Sequence, residues 1–292
     1  MHEPAISVET RVAILAWYDA RGRVLPFRGH GDPYAILVSE VMAQQTQISR
    51  VSAQWSAFLA AFPTVGRLAS APTADVLRAW RGLGYNRRAV NLQRAARIIV
   101  SEHGGRVPNE VAVLQRLPGI GPYTARAVAA LAFGQAVGPV DTNVRRVLGR
   151  LTGSNASAAD LQRIADTIVP ADRPADWTHA LMDLGATVCR SAAPRCDECP
   201  ASPSCRSLAS RSGRPRGPRP GTPGPAFAST NRWLRGRILD RLRDVPGAAW
   251  GTVSGPVGSH DEDAVQGALS TMEAEGLIQR HDVARTRARL AR

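Results

Sequence analysis

Apolar residues recur at helical spacing through roughly the first two hundred positions of the chain, and alternating strand patterns are almost absent. One such pattern runs from Pro33 to Thr46, with an apolar face formed by Ile36, Leu37, Val41 and Met42. A second carries Val51, Trp55, Phe58 and Leu59 and stops near Phe62-Pro63. Further stretches of the same period cover residues 74–80, 89–103, 111–115, 124–133, 143–151, 158–168 and 177–189. These patterns predict an all-α fold.

The composition changes after Cys205. Residues from about 210 to 225 are mostly Arg, Gly and Pro, which cannot build a packed core, so a basic linker is predicted over 208–228. Residues 229–292 then carry two helical stripes, formed by Leu234, Ile238 and Leu242 and by Val265, Leu269 and Met272. Gly276 ends the second helix before a short strand at 277–279, which predicts a small helical, winged-helix-like module.

The charge of the chain narrows the class of partner. Its 292 residues have a formal net charge of +13 and a sequence pI of about 11.1, which favours a polyanionic partner, nucleic acid before membrane. The segment 206–292 contributes 15 Arg against 8 acidic residues. A basic surface without a specific role is the alternative that composition leaves open. No apolar run has the length of a membrane helix, and residues 1–9 lack a secretory pattern, so we expect a cytoplasmic, nucleoid-associated protein.

All 37 basic residues are arginine, which limits the chemistry available to the chain. Because the sequence contains no lysine, no lysine Schiff base can form.

The four cysteines lie in one short stretch, as C-x6-C-x2-C-x5-C: Cys189, Cys196, Cys199 and Cys205. Two disulfides would be unusual in a cytosolic chain, so clustered thiols indicate a metal site. By spacing alone the site would accept zinc as well as an iron–sulfur cluster.

The segment Leu117-Pro118-Gly119-Ile120-Gly121 separates two helical stretches. Gly119 and Gly121 allow a tight turn that brings backbone N–H groups close to a ligand, and the following helix N-terminus suits a phosphate. A simple turn between helices is the alternative.

Two carboxylates are candidates for chemistry. Glu40 lies among Leu37, Val41 and Met42, and burial between helices would favour the protonated form that a general acid needs. The alternative is a solvated helical glutamate. Asp141 precedes a helix, where its local role is an N-cap. A buried carboxylic acid near a fixed carboxylate is a pair that suits general acid catalysis, and Glu40 and Asp141 would supply it.

Motifs from about Leu25 to Cys205 resemble those of adenine-mismatch DNA glycosylases in the endonuclease III, helix–hairpin–helix superfamily. They stand in family order: Leu-Pro-Phe-Arg (25–28), Asp-Pro-Tyr (32–34), Ser-Glu-Val-Met-Ala-Gln-Gln-Thr-Gln (39–47), Phe-Pro-Thr (62–64), Trp-Arg-Gly-Leu-Gly-Tyr (80–85), the hairpin, Val-Asp-Thr-Asn-Val (140–144), Met-Asp-Leu-Gly-Ala (182–186) and the cysteines.

The resemblance implies a glycosylase core over 1–207. In this core 30–140 would form a six-helix subdomain with the helix–hairpin–helix, and 1–29 with 141–207 an iron–sulfur subdomain. The four cysteines would hold a [4Fe–4S] cluster. The implied substrate is double-stranded DNA with adenine opposite 8-oxoguanine or guanine, bound by a monomer that leaves an abasic site.

The resemblance also implies roles for individual residues. Glu40 would protonate the adenine, Asp141 would stabilise the oxocarbenium-like intermediate, and Gln45 and Tyr85 would wedge into the base stack. Contacts with DNA or the base are implied for further residues of the matched segments: Arg28, Thr46, Leu117, Gly119, Gly121, Tyr123 and Asn143. Relatives with lyase activity have lysine at the Tyr123 position, so we expect water to be the nucleophile here.

The chain departs from the family pattern at Phe27, Ala43, Asn86 and Thr142, and its C-terminal 87 residues are too few for the larger mixed α/β domain of many members. Base preference near Ala43 and Asn86, and lesion discrimination, are therefore open. Three alternatives stay open with them: a thymine or uracil mismatch glycosylase of the same superfamily, a non-catalytic iron–sulfur DNA-binding protein, and a zinc-stapled DNA-binding module.

Overall fold

The computed structural model describes residues 6–153, 156–209, 225–247 and 249–292. The linker predicted at 208–228 falls mainly on 210–224, outside the described residues. The α-helices are α1 (Val8–Arg21), α2 (Pro33–Ala43), α3 (Ile48–Ala61), α4 (Val65–Ser70), α5 (Thr73–Ala79), α6 (Arg87–His103), α7 (Val111–Leu114), α8 (Pro122–Phe133), α9 (Thr142–Thr152), α10 (Ala158–Thr167), α11 (Pro174–Asp183), α12 (Arg206–Ala209), α13 (Asn231–Arg243) and α14 (Glu262–Ala274).

Shorter helical turns and three strands complete the secondary structure. The last turn of α11 continues as a π-helix, Leu184–Val188, and 3₁₀ turns lie at Cys196–Glu198, Ser202–Ser204 and Phe227–Ser229. The strands are β1 (Gly251–Thr252), β2 (Ile278–Arg280) and β3 (Arg287–Leu290). They form an antiparallel sheet in the order β1-β3-β2, in which Thr252 lies opposite Arg287 and Ile278 opposite Leu290. Among the described residues up to 209 there is no strand, so the all-α prediction is confirmed for that part of the chain.

The chain divides into two compact units, and both are discontinuous in sequence. The first contains the described parts of 1–40, 109–116 and 120–221, and the second those of 41–108, 117–119 and 222–292. No helix in the described part of the chain is long and apolar enough to cross a membrane.

The first unit is built around α11, which packs against α1, α8 and α9. Its core contains the fully buried side chains of Ile14, Leu148, Trp177 and Leu184. Several of its helices begin at polar caps, since a side-chain oxygen satisfies a free N–H of the first turn. One of these is a reciprocal capping box between Ser157 and Asp160 at the start of α10.

The second unit packs α4 and α5 on α6, and α3 on α5. Phe58 meets Trp80 edge to face, with 5.7 Å between ring centroids. The C-terminal residues of this unit fold around α13, which packs against α14, β3 and α5. Its apolar stripe of Leu234, Ile238 and Leu242 is buried, as the sequence predicts.

The structure adds elements that the hydrophobic pattern did not predict. Helix α1 exposes Val8 and Val12 and therefore has no clean apolar face, and α4 has only six residues. The strand predicted at 277–279 is found as β2, but β1 and β3 were missed. β1 has two residues, which is too short for a recognisable alternation.

Candidate active site

Glu40 is a buried carboxyl near the end of α2 and is 7% exposed. Burial raises its pKa to about 7, and the nearby charge of Asp141 acts in the same direction. A hydrogen bond from Tyr123 and the positive charge of Arg28 act in the opposite direction. The Oε2 atom of Glu40 is buried and has no hydrogen-bond partner among the described residues. Glu40 is therefore not the solvated glutamate of the alternative interpretation.

Tyr123 lies at the start of α8, where its hydroxyl hydrogen-bonds to the Glu40 carboxyl and lies 3.9 Å from the Met182 sulfur. Burial, then the carboxylates of Glu40 and Asp141, hold the pKa of this hydroxyl well above its usual value. The side chain is thus a neutral phenol that can donate to Glu40 but cannot serve as an amine nucleophile.

Asp141 caps the N-terminus of α9. Its Oδ1 atom accepts from the Val144 backbone N–H at 2.6 Å, and its Oδ2 atom accepts from the Asn143 amide at 3.1 Å. The N-cap expected from the local sequence is present, and it holds the carboxylate in one orientation close enough to raise the pKa of Glu40. The structure thus brings Glu40, Tyr123, Asp141 and Asn143 together.

A chain of hydrogen bonds connects Asp141 with the start of the cysteine segment. The side-chain amide oxygen of Asn143 accepts from Arg146 at 2.9 Å, and Arg146 also donates to the backbone oxygens of Gly185, at 2.7 Å, and Cys189, at 2.8 Å. A Cβ at Gly185 would lie 2.8 Å from the Asn143 Cβ, so only glycine allows this approach. The π-helix of 184–188 therefore packs against Asn143, the residue that hydrogen-bonds to Asp141.

Arg28 forms a bidentate ion pair with Asp183, with both N···O distances 2.7 Å. Burial alone would raise the pKa of the Asp183 carboxyl, but bonds from Arg28 and from the Arg23 backbone and side chain lower it below the usual value. The guanidinium of Arg28 is thus held inside the first unit, where its charge also acts on Glu40.

The four cysteine thiols line one cavity of about 650 Å³ with an otherwise largely apolar wall: Cys189, Cys196, Cys199 and Cys205. The guanidinium of Arg150 lies 3.4 Å from the Cys189 sulfur. Burial raises the pKa of the Cys199 thiol to about 11, so a metal must displace its proton before it can ligate. Within the described ranges no three His, Cys, Asp or Glu side chains converge tightly enough to hold a single ion.

The second unit holds the predicted wedge residues, which share an uncommon backbone conformation. Gln45 and Tyr85 have positive φ, at 53° and 43°, a region that costs a non-glycine residue about 1 kcal/mol or more. Thr46 ties the two loops together, since its hydroxyl donates to the Leu83 carbonyl at 3.2 Å. Tyr85 keeps 38% of its surface exposed.

The loops 44–46 and 83–85, which carry the proposed wedge residues Gln45 and Tyr85, are called the wedge loops. Arg88 holds both of them and was not identified from the sequence. Its guanidinium donates to the carbonyl oxygens of Val41 (2.9 Å), Met42 (2.8 Å), Gln44 (2.5 Å), Leu83 (3.1 Å), Gly84 (3.0 Å) and Tyr85 (3.4 Å) and to the Thr46 hydroxyl (2.8 Å). Burial lowers its pKa to about 10, so the group stays charged at neutral pH.

The hairpin between α7 and α8 has the geometry that its glycines suggest. Leu117 is buried, and Gly119 has φ +80° with its carbonyl accepting from the Gln44 amide at 3.2 Å. A Cβ at Gly119 would lie 2.9 Å from the Asn91 Cβ. Gly121 is the exposed N-cap of α8, and Pro122 is the first residue of this helix. Because glycine has no side chain, no side-chain cap binds the N–H groups of the first turn.

Three supporting residues escaped the sequence analysis: Arg88, Arg146 and Asp183. In a chain with 37 arginines nothing in the local sequence separates a buried, multiply bonded arginine from an exposed one. Asp183 stands in the matched segment 182–186, and that match was the available signal in the sequence.

Comparisons with known proteins identify a family model and several relatives that match this chain. Residues 38–170 match the HhH-GPD superfamily of base excision DNA repair proteins. The adenine DNA glycosylase of Mycolicibacterium smegmatis is 42% identical over 276 residues, 92% of each chain. The human adenine DNA glycosylase is 42% identical over 212 residues, 68% of this chain and 39% of the human protein. The structure of a thermostable thymine-DNA glycosylase has a TM-score of 0.66 and 30% identity, and covers 68% of this chain and 95% of that one.

The chain therefore belongs to the adenine DNA glycosylase family within the HhH-GPD superfamily of base excision DNA repair proteins. The Mycolicibacterium protein matches more of this chain than the core alone comprises, so its similarity includes C-terminal residues. The protein is a DNA glycosylase, an enzyme that acts on N-glycosyl bonds.

Proposed function

We propose that this protein removes adenine paired with 8-oxoguanine or guanine in duplex DNA and leaves an abasic site in an intact strand. The observation that carries the proposal is the pairing of the buried Glu40, whose pKa is raised to about 7, with the half-buried Asp141, which is fixed by two hydrogen bonds.

Glu40 acts as the general acid. A pKa of about 7 keeps a large fraction protonated at neutral pH, which is the condition for efficient proton transfer to a leaving base. Its unpartnered Oε2 atom is free to meet a nitrogen of an extruded adenine, while Tyr123 orients the carboxyl.

Asp141 supplies the carboxylate that stabilises the cationic sugar as the glycosidic bond breaks. Both of its oxygens accept hydrogen bonds in the folded protein, which limits reorientation of the carboxylate during the reaction.

Water completes the reaction. Lyase chemistry requires an amine that forms a Schiff base with the sugar, and neither Tyr123 nor any other side chain of this lysine-free sequence provides one. The expected product is an abasic site that breaks only on treatment with alkali.

We propose that the four cysteines hold a [4Fe–4S] cluster. The four cysteines line one shared cavity of about 650 Å³. Their C-x6-C-x2-C-x5-C spacing after a helix resembles the cluster loop of the endonuclease III superfamily, which favours the iron–sulfur cluster over zinc. The bound cluster supplies a structural crosslink of this loop, and Arg146 connects the Cys189 end of the loop to Asn143.

Single-turnover release of adenine from a duplex with A opposite 8-oxoguanine tests the catalytic pair. Glu40→Gln and Asp141→Asn should each slow release by about 100-fold or more while leaving duplex binding nearly unchanged. Glu102→Gln, which removes an exposed carboxylate of α6, is the matched control and should release adenine at the wild-type rate. Unchanged turnover in Glu40→Gln would refute the assignment.

Metal analysis of the purified protein tests the cluster. We expect about four iron atoms and four acid-labile sulfides per chain, with broad visible absorption that is lost in Cys199→Ser. One zinc atom in a colourless protein would contradict the proposal.

A further inference from the structure

The C-terminal part of the second unit has the order of a winged-helix module, with α13, β1, α14, β2 and β3 in sequence and a sheet order of β1-β3-β2. In helix–turn–helix proteins the second helix is the one that enters the major groove. In this chain the corresponding helix, α14, exposes acidic side chains at Glu262, Asp263 and Glu273. A helix with this charge would be repelled by phosphates.

The first helix, α13, has the opposite charge character. It carries five arginines: Arg232, Arg235, Arg237, Arg241 and Arg243. The only acidic residue in α13 is Asp240, which pairs with Arg237 and Arg243. Because Arg235 pairs with Glu275 and Arg243 is buried, the exposed positive charge of this helix comes mainly from Arg232, Arg237 and Arg241. Arg232 is exposed at the start of this helix.

Arg232 contacts the proposed wedge residue directly. It donates to the Tyr85 hydroxyl at 2.7 Å, and its guanidinium carbon lies 4.3 Å from the Tyr85 ring centroid. The same guanidinium lies 5.4 Å from the ring centroid of Phe227. Such cation–π contacts hold an aromatic ring in one orientation. Since 38% of Tyr85 remains exposed, part of the ring is still available to a base.

A cavity of about 440 Å³ lies at this contact. Residues of the wedge loops, including Gln45 and Tyr85, line one side, and residues of α13 with Phe227 line the other. The arginines at this cavity, Arg50 among them, outnumber its acidic residues. Positive charge beside aromatic rings is the combination that binds nucleic acid strands.

We propose that α13, and not α14, is the DNA-binding helix of the C-terminal module, and that Arg232 is a positioning residue that orients Tyr85 for insertion into the duplex. The inference rests on the proposed function, because it takes Tyr85 as the residue that enters the base stack. Whatever Tyr85 inserts into must lie against Arg232 as well, because the two side chains are hydrogen-bonded.

Two measurements on a mismatched duplex test this inference in a Glu40→Gln background that leaves the DNA intact. The first is the dissociation constant over a salt series. Arg232→Ala should weaken binding about 5-fold to 10-fold and reduce the salt slope by about one. Arg241→Ala is the matched control, because nine residues further along α13 it points to the opposite side of the helix, and it should bind within about 2-fold of the parent.

The second measurement is the fluorescence of a 2-aminopurine next to the mismatched adenine, which rises when the stack opens. Arg232→Ala should lose at least half of this rise. Arg232→Lys keeps the charge and should retain the salt slope, but it should lose the rise because an ammonium cannot lie flat on the ring while bonding the hydroxyl. A full rise in Arg232→Lys would reduce the role of Arg232 to charge and overturn the positioning role.

Asp263→Asn tests the other helix. If α14 lies away from DNA, this variant binds with the parent affinity, whereas tighter binding would bring α14 to the DNA and overturn the proposal. Thermal unfolding midpoints equal to that of the parent establish that each variant is folded. Absence of adenine release by the wild-type enzyme would refute the proposed function. If instead the wild-type enzyme releases adenine but the Arg232→Ala and Arg241→Ala variants bind the duplex equally well, the proposed function stands and the role of Arg232 is refuted.

Discussion

Replacing Glu40 with Gln should slow base release by about 100-fold or more and, at alkaline pH, stabilise the fold. In the unfolded chain this carboxyl ionises near its ordinary pKa of 4.5, and in the folded protein burial raises the pKa to about 7. The folded state therefore binds a proton that the unfolded state has released between these values, so wild-type stability falls as pH rises through this window. The full difference in pKa corresponds to about 3 kcal/mol, and glutamine does not incur this cost.

The assay is the thermal unfolding midpoint of wild type and Glu40→Gln, with equal metal content, at about pH 5 and about pH 8. The two midpoints should nearly coincide at the lower pH and differ by roughly 5 to 10 °C at the higher pH, with the variant more stable. Other titrating groups are shared and cancel in the comparison. Glu102→Gln, at an exposed position of α6, should show no such divergence. A separation between wild type and Glu40→Gln that is the same at both pH values would refute the argument that Glu40 is buried with a raised pKa.

Three further predictions concern the chemistry. Because the general acid must be protonated, single-turnover adenine release should fall as pH rises through about 7, and a rate that stays flat to about pH 9 would contradict this role. Tyr123→Lys places an amine beside Glu40 and Asp141, and this variant should form a complex with DNA that borohydride traps, which wild type does not form. If no complex is trapped, residue 123 does not lie at the sugar. Arg146→Ala removes the donor to Asn143 and to the Cys189 carbonyl, and it should slow adenine release about 10-fold or more. Arg145→Ala, at the exposed neighbouring position, is the control and should not slow release. Equal rates for the two variants would show that the hydrogen-bond chain to Asp141 does not affect the reaction.

The sequence was most informative where the chemistry demands particular residue types at fixed spacing. The glycines of the hairpin predict a tight turn, and Gly119 has the positive φ and close backbone approach that exclude a side chain. The four cysteines predict a shared site, and their thiols line one cavity. The capping role of Asp141 also follows from its position before a helix.

What sequence could not predict depends on long-range packing. Nothing in the local sequence distinguishes Arg88 from its exposed neighbour Arg87. Arg88 donates to seven acceptors because the C-terminal end of α2 and the loop at 83–85 both lie against its guanidinium. The contact between Arg232 and Tyr85 joins residues 147 positions apart, and no local pattern signals it. The short strands β1 and β3 form through pairing, β1 with β3 and β3 also with β2, which the composition of a single strand does not reveal.

Base release from duplexes with A opposite 8-oxoguanine, A opposite G, T opposite G and U opposite G, each analysed with and without alkali, separates an adenine glycosylase from the alternatives. We expect release of adenine from the first two duplexes, with strand breakage only after alkali. Release from the T or U mismatches instead, or strand breakage without alkali, would contradict this expectation.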